Sequence, residues 1–183
     1  MSVKCKTPRI GRDVYISPTS YVCGDLEIGD GCTIMHHVCI RGDIAPIRIG
    51  PNTNIQDGVV LHTRYGIPLD IEERVVVGHR AVVHCRRVGA NSLIGIGAIV
   101  LDEAEIGKGA IVAAGAVVRP GTKVAPGTIV GGVPAKYLRD LNEEDHAEIQ
   151  RIVDSYVEMG RRYASGEFPP AGLTQSASPD RIK

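Results

Sequence analysis

The sequence predicts an all-β solenoid, a parallel β-helix of many short strands followed by one C-terminal α-helix. Three observations predict it: aliphatic residues recurring every six positions, abundant glycine, and a near absence of large aromatics. Of 183 residues, 22 are Gly, one is Phe and none is Trp, yet 43% are hydrophobic. The core must therefore be built from Ile and Val, which favour strands and suit many short ones better than a doubly wound or large helical domain.

The repeat is explicit. Ile10, Ile16, Val22, Ile28, Ile34 and Ile40 form one uninterrupted series, and Ile94, Val100, Ile106, Val112, Val118, Val124 and Val130 form another. Ile49, Ile55 and Leu61, then Ile71, Val77 and Val83, supply two more between them. A helix would show a period of 3.6 and a flat strand a period of 2. A period of six instead marks a coil in which each unit buries one aliphatic against the coil below. Gly often follows the aliphatic, as at Gly29, Gly50, Gly78 and Gly95, where the chain must change direction. Four residues after the aliphatic stands something small, such as Cys32, Thr53, Ala81 or Ala98, because the inside of a corner has little room.

The repeat breaks at Gly42–Ile47 and between His62 and Ile71, so loops leave the coil there; it stops after Pro134. Asn142 can cap a helix, with Asp145 three residues on, and Ile149, Ile152, Val153, Tyr156 and Tyr163 follow at helical spacing. The expected division is a solenoid over 1–137, a helix packed on its outside over 138–164, and a mobile polar tail over 165–183.

Composition excludes several partners. Lys plus Arg and Asp plus Glu are 21 each, giving zero formal net charge, and no basic run exists. Neither nucleic acid nor an anionic membrane surface is the expected partner. The apolar runs Leu93–Leu101 and Ala110–Val118 are 9 residues long, short of the roughly 20 that span a bilayer. Met1–Gly11 lacks the apolar core of a signal peptide, so a cytoplasmic protein is expected. Five cysteines without a CxxC pair read as reduced thiols.

Register arithmetic then places side chains. Ile40 to Leu61 is 21 residues and Leu61 to Val83 is 22, one 18-residue coil plus three and plus four. Ile40, Leu61 and Val83 should stack, and the residues after them, Arg41, His62 and His84, should form an outward column with steps of about 4.8 Å. Two stacked imidazoles can share an ion, because Zn–N bonds are about 2.0–2.1 Å. His79 lies five residues before His84 on the preceding side, and five extended residues span roughly 16–18 Å. If all three bind one ion, His79 comes from a neighbouring subunit, and a closed trimer would create three equivalent sites.

The hexapeptide period resembles that of the hexapeptide-repeat proteins, which implies a left-handed coil of triangular section. More specifically, the chain is similar over roughly residues 9–163 to the gamma-class carbonic anhydrases. The motifs that carry the resemblance are Arg41-Gly42-Asp43, Pro46-Ile47-Arg48-Ile49-Gly50, Asn54-Ile55-Gln56-Asp57, His62, Gly78-His79 and Val83-His84. The resemblance implies a homotrimer with a metal between subunits, held by His62 and His84 of one chain and His79 of the next. Zn²⁺ is the expected ion, with Fe²⁺ or Co²⁺ as alternatives. It implies hydration of carbon dioxide to bicarbonate, with a metal-bound hydroxide as nucleophile. Among the catalytic residues so implied, Gln56 contacts the metal-bound solvent, and Arg41 and Asp57 order the interface near the bound anion. Arg41 could equally bridge subunits through Asp43 or Asp57.

Two rival readings remain. A family member could keep the fold and the metal as a scaffold with weak or no catalysis, since the stretch Thr63–Arg74 offers no clear proton shuttle. A hexapeptide acyltransferase would use a single histidine as general base and would share the Gly132-Val133-Pro134-Ala135-Lys136 ending.

Overall fold

The computed structural model describes residues 6–171. It is a left-handed parallel β-helix of about 7 turns with a single C-terminal helix. The predicted period is realised as three internal ladders. Ile10, Ile28, Ile49 and Ile71 begin the first. Ile16, Ile34, Ile55 and Val77 begin the second, and Val22, Ile40, Leu61 and Val83 the third. Nine of these twelve side chains are buried in one continuous core, Ile16 and Val22 pack partly buried against it, and Ile10 at the open end is exposed. The steps of 21 and 22 residues are present as counted, because the extra residues leave the coil as loops. Val88 continues the first ladder beside Ile71, so the side from Val83 to Val88 is one residue short.

The corners explain the glycines. At many corners the third residue after a ladder position adopts positive φ, as at Gly31, Gly58, Gly97 and Gly109, and also at His37, Arg80 and Glu103. A tight turn with a left-handed second central residue closes these corners. The glycine directly after the aliphatic serves differently. A Cβ on Gly50 would stand 2.5 Å from Glu73 N in the next coil, so close approach of backbones selects glycine there.

The three outer faces carry different chemistry. On the first, Arg9, Glu27, Arg48, Asp70, Arg87, Glu105 and Lys123 stand in register as a ladder of alternating charge. On the second, Thr33, Asn54 and Val76 are buried, and the helix Glu143–Ala164 lies over this face with its Ile149 and Val153 clustered with Val76. On the third, Cys39, Val60, Val82, Ile99 and Val117 form an apolar stripe that this chain leaves only half covered.

The helix starts at Glu143, after the strand Lys136–Asp140, which runs antiparallel to Thr128–Gly131 and closes the end of the coil. Asn142 caps the helix as expected, its side chain accepting from Asp145 N (2.9 Å) while Asp145 accepts from Asn142 N (2.8 Å). Arg139, on the closing strand, ties to Asp145 at 2.5 and 2.9 Å. That guanidinium, then the Asn142 N–H, pull the Asp145 carboxyl down to about 2. Of the expected tail, Phe168 packs on Tyr163 with ring centroids 5.0 Å apart; residues 172–183, like Cys5, lie outside the described residues. No helix among the described residues is long and apolar enough to cross a membrane.

Candidate functional site

The outward column forms as the register requires. Arg41, His62 and His84 each follow a ladder residue and emerge on one edge of the third face. Arg41 Nη2 lies 3.1 Å from His62 Nε2, and His62 Nδ1 lies 3.2 Å from His84 Nε2. The two imidazole centroids are 5.2 Å apart.

Each ring has a carboxylate behind it. Asp43 Oδ1 is 3.0 Å from His62 Nε2, and Asp102 Oδ1 is hydrogen-bonded to His84 Nδ1. An ionised carboxylate only accepts, so the Asp102 contact puts the His84 ring proton on Nδ1, whereas His62 Nε2 faces both Asp43, an acceptor, and Arg41, a pure donor, and its contacts fit either tautomer. The facing nitrogen of His84, Nε2, then carries a lone pair, and His62 Nδ1 opposite it either donates to that lone pair or, with its proton on Nε2, offers a second one. With the His62 proton on Nε2, two lone pairs 3.2 Å apart repel unless a cation lies between them. Two ligand nitrogens at 2.0–2.1 Å from one tetrahedral ion are about 3.4 Å apart, so the pair fits a shared divalent cation. Imidazole donors suit zinc, iron or cobalt alike. Burial raises the Asp43 carboxyl, but the His62 hydrogen bond and Arg41, 3.3 Å away, outweigh it and leave the carboxyl below the ordinary value.

A second column stands one corner earlier. Asp57 lies between His36 and His79, with its oxygens 3.4 Å from His36 Nδ1 and 3.0 Å from His79 Nδ1. The same tautomer argument leaves His79 Nε2 unprotonated. From the helix, the Tyr156 hydroxyl reaches to 3.5 Å from that nitrogen. Burial first, then Asp57, raise the Tyr156 phenol above its ordinary value. Tyr163 stacks on Tyr15 and packs edge-on to His36, each pair with centroids 5.2 Å apart. Gln56 is buried, its amide nitrogen donating to Asn54 Oδ1 at 3.1 Å, while Asn54 Nδ2 is buried without a partner.

Thus one chain brings Arg41, His62 and His84 together and sets Asp57 and His79 apart from them. Among the described residues, no cluster of three or more His, Cys, Asp or Glu in a single chain could hold a metal. Two site residues escaped the sequence reading. Asp102 lies 18 residues after His84, one coil on, and coil counting could have found it. Tyr156 was legible as part of the helix's apolar stripe, but which face of the solenoid the helix covers is a tertiary matter.

The hexapeptide family described as "Bacterial transferase hexapeptide (six repeats)" matches residues 7–42 and 87–120. The chain is 49% identical over 160 residues to a carbonic anhydrase of Geobacillus kaustophilus, covering 87% of this chain and 88% of that protein. It is 36% identical to the mitochondrial gamma carbonic anhydrase 2 of Arabidopsis thaliana, over 90% of this chain and 62% of the plant protein. A Bacillus cereus crystal structure, described provisionally as an acetyltransferase, superposes with a TM-score of 0.86 at 40% identity, covering 88% of this chain and 94% of that one.

Proposed function

This chain belongs to the gamma-class carbonic anhydrase family, and we propose that it hydrates carbon dioxide to bicarbonate at a divalent-metal site shared between neighbouring copies. The observation that carries this reading is the spacing of the facing ring nitrogens of His62 and His84, 3.2 Å apart and close to that of two ligands on one ion, with a carboxylate beside each ring. A bound divalent cation supplies hydroxide at neutral pH by lowering the pKa of water toward about 7.

The chain's own residues account for the rest. His62 and His84 supply two ligands, and His79 of the next copy supplies the third in a homotrimer. The half-covered apolar stripe of Val60, Val82, Ile99 and Val117 supports that assembly: it adjoins the histidine column, whereas the other two faces are charged or under the helix. Arg41, beside His62, is placed to hold the planar oxygens of bicarbonate through a guanidinium fork. Asp57 orients His79 through Nδ1, and Gln56 orients solvent at the metal. Zinc is the ion proposed first, with iron or cobalt acceptable to the same donors.

Metal analysis of the purified protein, with stopped-flow carbon dioxide hydration after loading with zinc, iron or cobalt, tests the reading. About one ion per chain is expected, falling sharply in His84→Ala. A well-folded wild type that takes up no metal would sink it. The likeness to the Bacillus cereus structure favours acyl transfer as the second reading. That alternative requires acyl-CoA turnover unaffected by chelators.

A further inference from the structure

We infer that Asp102 is a positioning residue for the metal site, fixing the tautomer and aim of His84; the inference rests on the metal reading above. Asp102 comes from the coil after His84 and accepts the hydrogen bond of its Nδ1–H. It is partly buried, its side chain 35% exposed, and among the described residues its ion-pair partner is His84. The carboxylate therefore acts on the imidazole alone. With the proton held on Nδ1, the lone pair sits on Nε2, the nitrogen that faces His62 Nδ1 at 3.2 Å.

The backbone around Asp102 holds it in place. Val100 is the fully buried ladder residue two positions before it, in register with Val83. Glu103, next in the chain, takes the left-handed corner conformation at φ 59. Gly121 N donates to the Asp102 carbonyl at 2.8 Å, tying the corner to the following coil. Glu103 in turn bridges Arg64 at 2.9 Å, two residues after His62. One rigid corner thus orients His84 directly and anchors the loop that follows His62. Carboxylates behind ligating imidazoles are worth about 10–100-fold in metal affinity.

The test is the zinc affinity of the assembled full-length protein, measured by competition with a chromophoric chelator, together with the visible absorption spectrum of its cobalt form. Asp102→Asn can present an amide N–H to Nδ1 and so stabilise the wrong tautomer. Asp102→Leu removes the acceptor at similar size. Both variants should bind zinc about 10–100-fold more weakly and alter the cobalt spectrum, with the thermal midpoint of the metal-free protein kept. Asp102→Glu should recover part of the affinity, and Glu103→Gln should keep all of it. Wild-type affinity in Asp102→Asn and Asp102→Leu would overturn the inference while leaving the metal site standing. Equal losses in Glu103→Gln would also overturn it, because the corner would then act through the loop and not through the carboxylate. A wild type that binds no zinc would overturn the metal reading, and this inference with it.

Discussion

Gly160, in the last turns of the helix, lies so close to Thr33 that a Cβ would stand 2.6 Å from the threonine hydroxyl. That hydroxyl donates to Tyr156 O at 2.8 Å. The pair fixes how deeply the helix seats on the second face, and hence where the Tyr156 hydroxyl meets His79.

Gly160→Val should therefore force the helix outward. Overpacking of this kind costs about 1–3 kcal/mol, to be read as a lowered thermal midpoint. Gly160→Ala should cost less. An unchanged midpoint in the valine variant would mean the helix slides freely along the solenoid.

The proposed sharing of the metal site between copies predicts complementation. His79→Ala chains and His84→Ala chains should each be nearly inactive and poor in metal. Refolded together, they should regain part of both properties, because some interfaces pair an intact His62–His84 column with an intact His79. No recovery in mixed trimers would place all three ligands within one chain.

The apolar stripe on the third face gives a separate handle on assembly. Val82→Glu places a charge on an outward position of that face, where burying it unpaired in an interface is costly. Sedimentation should show monomers with native circular dichroism, and metal content should fall although no ligand has changed. A trimeric, fully loaded Val82→Glu protein would count against this face as the interface.

Acid stability follows from the depressed carboxylates. Arg139 and the Asn142 N–H hold Asp145 at about 2, the Arg12 N–H and guanidinium lower Asp30, Lys6 lowers Asp25, and Arg87 lowers Glu72. A folded value below the unfolded one contributes stability that is full above the unfolded value and lost as pH falls through the folded one. The thermal midpoint should thus hold above about pH 4.5 and drop between there and about pH 2. Asp145→Asn should flatten part of that drop; an identical acid profile would show that the helix cap carries none of it.

Two thiols should be silent. Burial pushes Cys32 up to about 11 and Cys85 up to about 12, so neither forms thiolate at pH 8 in the folded state. A maleimide should leave both unlabelled until denaturant is added, as peptide mapping can check. Labelling of Cys85 in the native protein would mean that its coil opens readily.

Much of the site was legible by counting. Steps of 21 and 22 residues suffice to stack His62 on Arg41 and His84 on His62, because each coil buries its aliphatics against its neighbours in a fixed register. The same counting separated His79 from the pair. It passed over the short side from Val83 to Val88, since a single missing residue breaks the period without leaving a motif. It also passed over the strand Lys136–Asp140, whose pairing partner, Thr128–Gly131, belongs to the last coil.

The sequence alone determined the solenoid, the capped helix and the edge on which the imidazoles stand, because a repeat of six residues encodes burial locally. Only the tertiary structure decided that Asp43 and Asp102 stand behind those rings, that the helix covers the second face with Tyr156 toward His79, and that the third face is left half bare. Those outcomes depend on how side chains from coils 18 or more residues apart meet in space, and spacing along the chain carries no record of ring orientation or of which surface a helix chooses.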